Sequence, residues 1–176
     1  MGLRALIVDS DGLSSSARQM LQAAQYKLDV VTHPRNALDI LYSNKKYDAI
    51  VSDISGHSTT DGFEFAIEAR RHLNEQNGSA KKSKIYLWSG QFSNGTNLYP
   101  ASNDTKLKIL HHYGIIDGYS LKHPDRHQAA AMLKDMLTTD FSEFIKKYGI
   151  EPNSFSEPEL ILLSVLFPRL DEEKLP

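Results

Sequence analysis

Five short runs rich in β-branched and aromatic residues alternate along this chain with longer stretches of helical period, and few folds accept that alternation. The runs fall near residues 3–8, 27–32, 48–52, 84–88 and 115–120. The helical stretches fall near 13–25, 35–44, 62–75 and 104–113, with a fifth from about 124. In the second of these, Ala37, Leu38, Leu41 and Tyr42 follow the spacing of one apolar helix face. Repeated strand–helix units of this size build a parallel sheet with helices packed on both faces, the α/β doubly wound class.

Five such units predict a five-stranded parallel sheet of flavodoxin-like order 2-1-3-4-5. That order sets the ends of the first and third strands side by side at the switch point, where open α/β sheets bind ligands. Polar residues stand at four of these strand ends. Asp9 follows Ala5-Leu6-Ile7-Val8, Asp53 closes Asp48-Ala49-Ile50-Val51-Ser52-Asp53, Ser89 follows Ile85-Tyr86-Leu87-Trp88, and Lys122 follows Tyr119-Ser120-Leu121. Two acids, a hydroxyl and a lysine on one sheet edge suit a site that accepts a phosphoryl group. A carboxylate can attack phosphorus, and the rest of the work is positioning and charge compensation. Helix capping is the plainer role for Asp9 and Asp53, and it is weakened by both acids meeting at one switch point.

The 176 residues are enough for one domain with a core and an appendage. Residues 1–139 carry 16 basic and 14 acidic side chains, whereas 140–176 carry 4 and 8. An acidic tail and a net charge of −2 argue against direct nucleic-acid binding. Lys81-Lys82-Ser83-Lys84 reads as a solvated turn. With no cysteine and no long apolar leader, the expectation is a cytoplasmic protein away from the membrane. The division expected is a domain over 1–137, followed over 138–176 by an acidic helical extension or the start of a linker to an effector. Asp140-Phe141-Ser142-Glu143 and Ser156-Glu157-Pro158-Glu159 both fit helix capping boxes. The second opens a helix over 157–167 that is apolar almost all round and must be covered, by its own domain, a second copy or a partner.

The strand-end residues, together with Asp61-Gly62-Phe63-Glu64-Phe65, Leu87-Trp88-Ser89-Gly90 and Gly118-Tyr119-Ser120-Leu121-Lys122, make residues 1–137 resemble the receiver domain of bacterial two-component response regulators. The resemblance implies that Asp53 is the phosphoacceptor, fed by a histidine kinase or phosphotransfer protein, and that Ser89 and Lys122 contact the phosphoryl group. It implies Mg²⁺ held by Asp9, Asp53 and the backbone carbonyl of Ser55, with Asp11 or Ser10 as further candidates. Ser89 and Tyr119 would form the switch. Output would be contact with a downstream protein or a second copy, through the face of the fourth helix, fifth strand and fifth helix or through helix 157–167. Such a domain is not an enzyme beyond autocatalysed transfer to and from its aspartate.

The chain departs from that pattern in three places. Ser10 stands where receivers usually carry a second acid, with Asp11 one place later. One extra residue lies between Asp53 and Asp61-Gly62, and His123 separates Lys122 from Pro124. These departures motivate an alternative, a pseudo-receiver that binds partners without being phosphorylated. Val8-Asp9-Ser10-Asp11-Gly12 also resembles the opening motif of haloacid-dehalogenase-type phosphatases, with Asp9 as nucleophile. That family's late acidic pair is not matched by Ile115-Ile116-Asp117-Gly118-Tyr119. His123 and His127, one helical turn apart, lack a third ligand and read as a solvent-facing pair.

Overall fold

The computed structural model describes residues 2–43, 45–54, 62–76, 83–89 and 101–148, without the side chains of 76 and 101–106. Five strands, β1 (Leu3–Val8), β2 (Tyr26–Val31), β3 (Ala49–Asp53), β4 (Lys84–Ser89) and β5 (Gly118–Leu121), form one sheet in the order β2-β1-β3-β4-β5. Every pairing is parallel. The expected fold and strand order are therefore both present. The helices are α1 (Ser15–Ala23), α2 (Pro34–Tyr42), α3 (Gly62–Gln76), α4 (Ala101–His112), α5 (Arg126–Thr138) and α6 (Phe141–Tyr148).

Strand side chains alternate between the two faces, and each face has its own core. Leu6, Val8, Ile50, Ile85 and Leu87 pack with Ala37 and Leu41 of α2, Phe65 and Ala69 of α3, and Leu107 and Leu110 of α4. Ala5, Ile7, Ala49, Val51, Tyr86 and Trp88 pack on the other side with Leu21 of α1, Leu133 and Met136 of α5, and Phe144 of α6. At the strand ends, backbone groups continue the ladder past the last sheet residues. Asp9 donates its N–H to the Val31 carbonyl at 3.0 Å, and Ile54 donates to that of Trp88 at 3.2 Å.

Helix ends follow local chemistry. Ser14 caps α1 by accepting from the Ala17 N–H at 3.2 Å, and Asp125 caps α5 by accepting from those of His127 and Gln128. The fifth strand is shorter than its apolar run predicts. Gly114, at φ 67°, turns the chain out of α4, and the N–H groups of Ile115 and Ile116 bond back to the Leu110 carbonyl. Both isoleucines are buried as part of that turn, so pairing with β4 is left to Gly118 onward. The predicted helix near 104–113 begins three residues earlier, at Ala101. Helix 157–167 and the Ser55 carbonyl lie outside the described residues.

Candidate functional site

Strand order and register bring the site together. Val8 pairs with Ser52, so the residues that follow each, Asp9 and Asp53, stand next to one another at the carboxyl edge. Asp53 in turn pairs with Trp88, and Ser89 with Leu121, which places Ser89 and Lys122 across from the acids. Lys122 Nζ donates to Asp9 Oδ2 at 2.7 Å and to Asp53 Oδ2 at 3.1 Å. Asp9 and Asp53 are 6 % and 7 % exposed and Ser89 is fully buried, so these charges interact in a setting that water screens weakly. A glycine is required beneath them. A Cβ on Gly62 would lie 2.3 Å from the Asp53 carbonyl oxygen, so only glycine lets α3 start against the back of the acceptor strand.

The electrostatics follow from burial and proximity. Burial pushes the Asp9 carboxyl above the usual carboxylate range; Lys122 offsets only part of this, and the neighbouring Asp53 charge adds to the rise. Burial alone would lower the Lys122 ammonium, but Asp53 and Asp9 together outweigh it and the net shift is upward. Lys122 therefore stays a cation, shared between two carboxylates.

Beside this cluster a cleft of about 470 Å³ opens between α1 and α5, lined by Asp9, Asp11, Ser14, Trp88, Lys122 and Arg126 among others. Asp11 is exposed and sends its backbone N–H to Asp9 Oδ1 at 3.1 Å, while Ser10 is half-buried. Among the described residues no group of three or more His, Asp or Glu side chains is placed to hold a metal ion. Asp9 and Asp53 remain as two converging oxygen donors, which suits Mg²⁺ when it takes one or two carboxylates and completes its shell with phosphate oxygens and water.

Other residues singled out in the sequence fall elsewhere. Tyr119 lies on β5, its ring edge-on to His111 of α4 at 6.1 Å and tilted against Phe141 of α6 at 5.9 Å. Asp117 sits at the opposite, amino edge of the sheet, where its Oδ2 accepts from Arg70 at 2.6 Å and from the Ile85 N–H at 2.7 Å. It cannot be the late acid that the phosphatase reading needs. His123 Nδ1 accepts from the Asp125 N–H at 3.0 Å, serving a turn. Nothing in the residue pattern marks Phe141 as a neighbour of Tyr119; its one cue is a place just after the capping residue Asp140.

No protein-family model matches the chain, and no curated protein sequence matches it. Solved structures do. A chemotaxis response regulator of Vibrio cholerae superimposes with a TM-score of 0.51 at 19% identity, covering 78% of this chain and 99% of that one. A response regulator from Chloroflexus aurantiacus gives 0.52 at 20% identity, over 79% of this chain and 100% of that one. The signal receiver domain of an HD-domain-containing protein from Pseudomonas fluorescens gives 0.50 at 18% identity, over 84% and 93%. Identities this low speak for architecture alone. The chain has the receiver-domain fold shared by response regulators, with an additional helix, α6, after its fifth strand–helix unit.

Proposed function

We propose that this chain is a response-regulator receiver domain that takes a phosphoryl group on Asp53 from a histidine kinase or phosphotransfer protein in the cytoplasm. The observation that carries the reading is Lys122 Nζ, held at once by Asp9 and Asp53 at the carboxyl edge of the sheet. In the reaction, an Asp53 carboxylate oxygen forms a bond to phosphorus as the phosphorus–nitrogen bond of a phosphohistidine breaks. The imidazole leaves with that electron pair, is neutralised by a proton from water, and an acyl phosphate remains.

The chain's own residues supply position and charge. Lys122 pairs with the incoming phosphoryl oxygens, and the buried Ser89 hydroxyl at the end of β4 donates to one of them. Asp9 and Asp53, with the Ser55 carbonyl, are the residues to hold Mg²⁺, which when bound neutralises charge on the phosphoryl oxygens. Burial is the main reason the Asp9 carboxyl holds its proton more tightly than usual, with the Asp53 charge adding to it, and a divalent ion held by the two carboxylates would favour their charged forms. Tyr119 and Ser89 would carry the change outward to a downstream protein or a second copy.

One observation favours a second reading, the pseudo-receiver. Ser10 replaces an acid, and Asp11 is exposed and contributes only its backbone N–H to Asp9. Beryllofluoride with millimolar Mg²⁺ separates the two. Trp88 is buried and lines the cleft with Asp9 and Lys122, so its fluorescence reports on filling of the pocket. A saturable change, lost in Asp53→Asn, is expected of a phosphoacceptor; no change in the wild type favours the binding module.

A further inference from the structure

β5 is four residues long and, among the described residues, is the last strand of the sheet, paired with β4. Its two ends do different things. Immediately beyond Leu121, Lys122 sends its backbone N–H to the Ser89 carbonyl and its ammonium to Asp9 and Asp53. At the start, Gly118 lies directly under the ring of Phe141: a Cβ there would fall 2.4 Å from Phe141 Cδ2 and 2.6 Å from Cε2. The same ring lies tilted against that of Tyr119, the next strand residue, at 5.9 Å, and 5.0 Å from the ring of His111 on α4. Phe141 is thus wedged against the outer side of β5, between that strand and α4.

The remainder of α6 is fastened to α5. Lys147 and Tyr148 both donate to Asp135 Oδ2, at 2.5 and 2.7 Å, and Phe144 is 1 % exposed in the core beneath. α6 therefore bridges two bodies, one fixed to α5 and one seated on β5. A ring resting on a glycine at van der Waals contact cannot follow a shift of the strand without losing overlap or colliding. Unpaired strand edges are usually covered to block unwanted pairing, and here the cover touches the strand that also carries the cation of the pocket.

We propose that α6 is a built-in cover over the β5 edge whose docking is coupled, through β5, to occupation of the Asp9–Asp53–Lys122 pocket. A phosphoryl group on Asp53 redistributes Lys122, displaces β5 beneath Phe141, and loosens α6 so that the β5 edge and the adjoining face of α4 become available to a protein partner. The inference rests on the phosphoacceptor reading above. Coupling of this kind is reciprocal, so whatever favours undocked α6 must favour phosphoryl binding by the same factor.

The test uses the full chain. Intact mass gives the fraction carrying an acyl phosphate after acetyl phosphate and Mg²⁺, and hydrogen exchange of residues 141–148 is read in the same samples. Protection of that segment should fall by about 5-fold or more in the adduct, while β1 and β3 keep theirs. In Phe141→Ala, and separately in Lys147→Ala, which loosens α6 without touching β5, beryllofluoride affinity should rise by a factor matching the loss of protection. An adduct with unchanged exchange in α6, or with an equal loss throughout the sheet, overturns the coupling and leaves the phosphoacceptor reading standing. Failure of the wild type to form any adduct overturns both.

Discussion

Lys122 is the residue on which the pocket turns. Removing it leaves two adjacent buried carboxylates without a counter-charge, the situation in which breaking a buried ion pair costs most. Lys122→Met should lose roughly 3–5 kcal/mol of stability at pH 7 in urea titrations. The Asp9 carboxyl, already raised above 3.8 by burial, loses the cation that offsets part of that rise, so the variant's stability should be fully present below 3.8 and fall as pH climbs through the raised value. A variant whose deficit is the same at pH 4 and pH 7 would contradict the pairing. Asp53→Asn should be milder, because Lys122 keeps Asp9 as a partner. The meeting of positions 9, 53 and 122 was legible in the sequence because each ends an apolar run, and parallel strands all end on the same edge. The direction of the Asp11 side chain was not, because it depends on a short turn in which the Gly12 N–H bonds to the Asp9 carbonyl and the Asp11 N–H to its carboxylate.

Among the elements, α6 and β5 make the sharpest predictions. Gly118→Ala puts a methyl group into the Phe141 ring, an overpacking that should cost about 1–3 kcal/mol. Phe141→Leu in the same chain should recover much of that cost, and a double-mutant cycle on thermal unfolding measures the recovery. Asp135 gives α6 a pH dependence. Burial would raise its carboxyl, but bonds from Lys147 and Tyr148 prevail and hold it below the usual range, while the Tyr148 hydroxyl is pushed up to about 12. With the folded value depressed, the contribution is present above 3.8 and disappears as pH falls through the lower folded value. Asp135→Asn should therefore be less stable than wild type by about 1–2 kcal/mol at pH 7, with the gap closing in acid, as melting curves at a series of pH values would read. Element identity was legible from periodicity, but the start of β5 was not. Ile115 and Ile116 have strand-like chemistry, and only the left-handed turn at Gly114 commits them to closing α4. The docking of α6 was equally hidden, since a capping box states where a helix starts and nothing about the surface it covers.

For the molecule as a whole, the βα alternation and the four polar strand ends were sufficient to anticipate the sheet order and the pocket edge, because right-handed parallel connections leave few arrangements. What the architecture adds is a physical link between that edge and an appended helix, through the shortest strand of the sheet. No helix among the described residues is long and apolar enough to cross a membrane, and residues 140–176 carry 4 basic against 8 acidic side chains. The central claim is that Asp53 is a working phosphoacceptor despite Ser10. Intact-mass measurement after incubation with acetyl phosphate and Mg²⁺ tests it most directly, comparing wild type with Asp53→Ala. A single phosphoryl adduct on the wild type and none on the variant is the predicted result. An unmodified wild type, or an adduct that survives in Asp53→Ala, would contradict it.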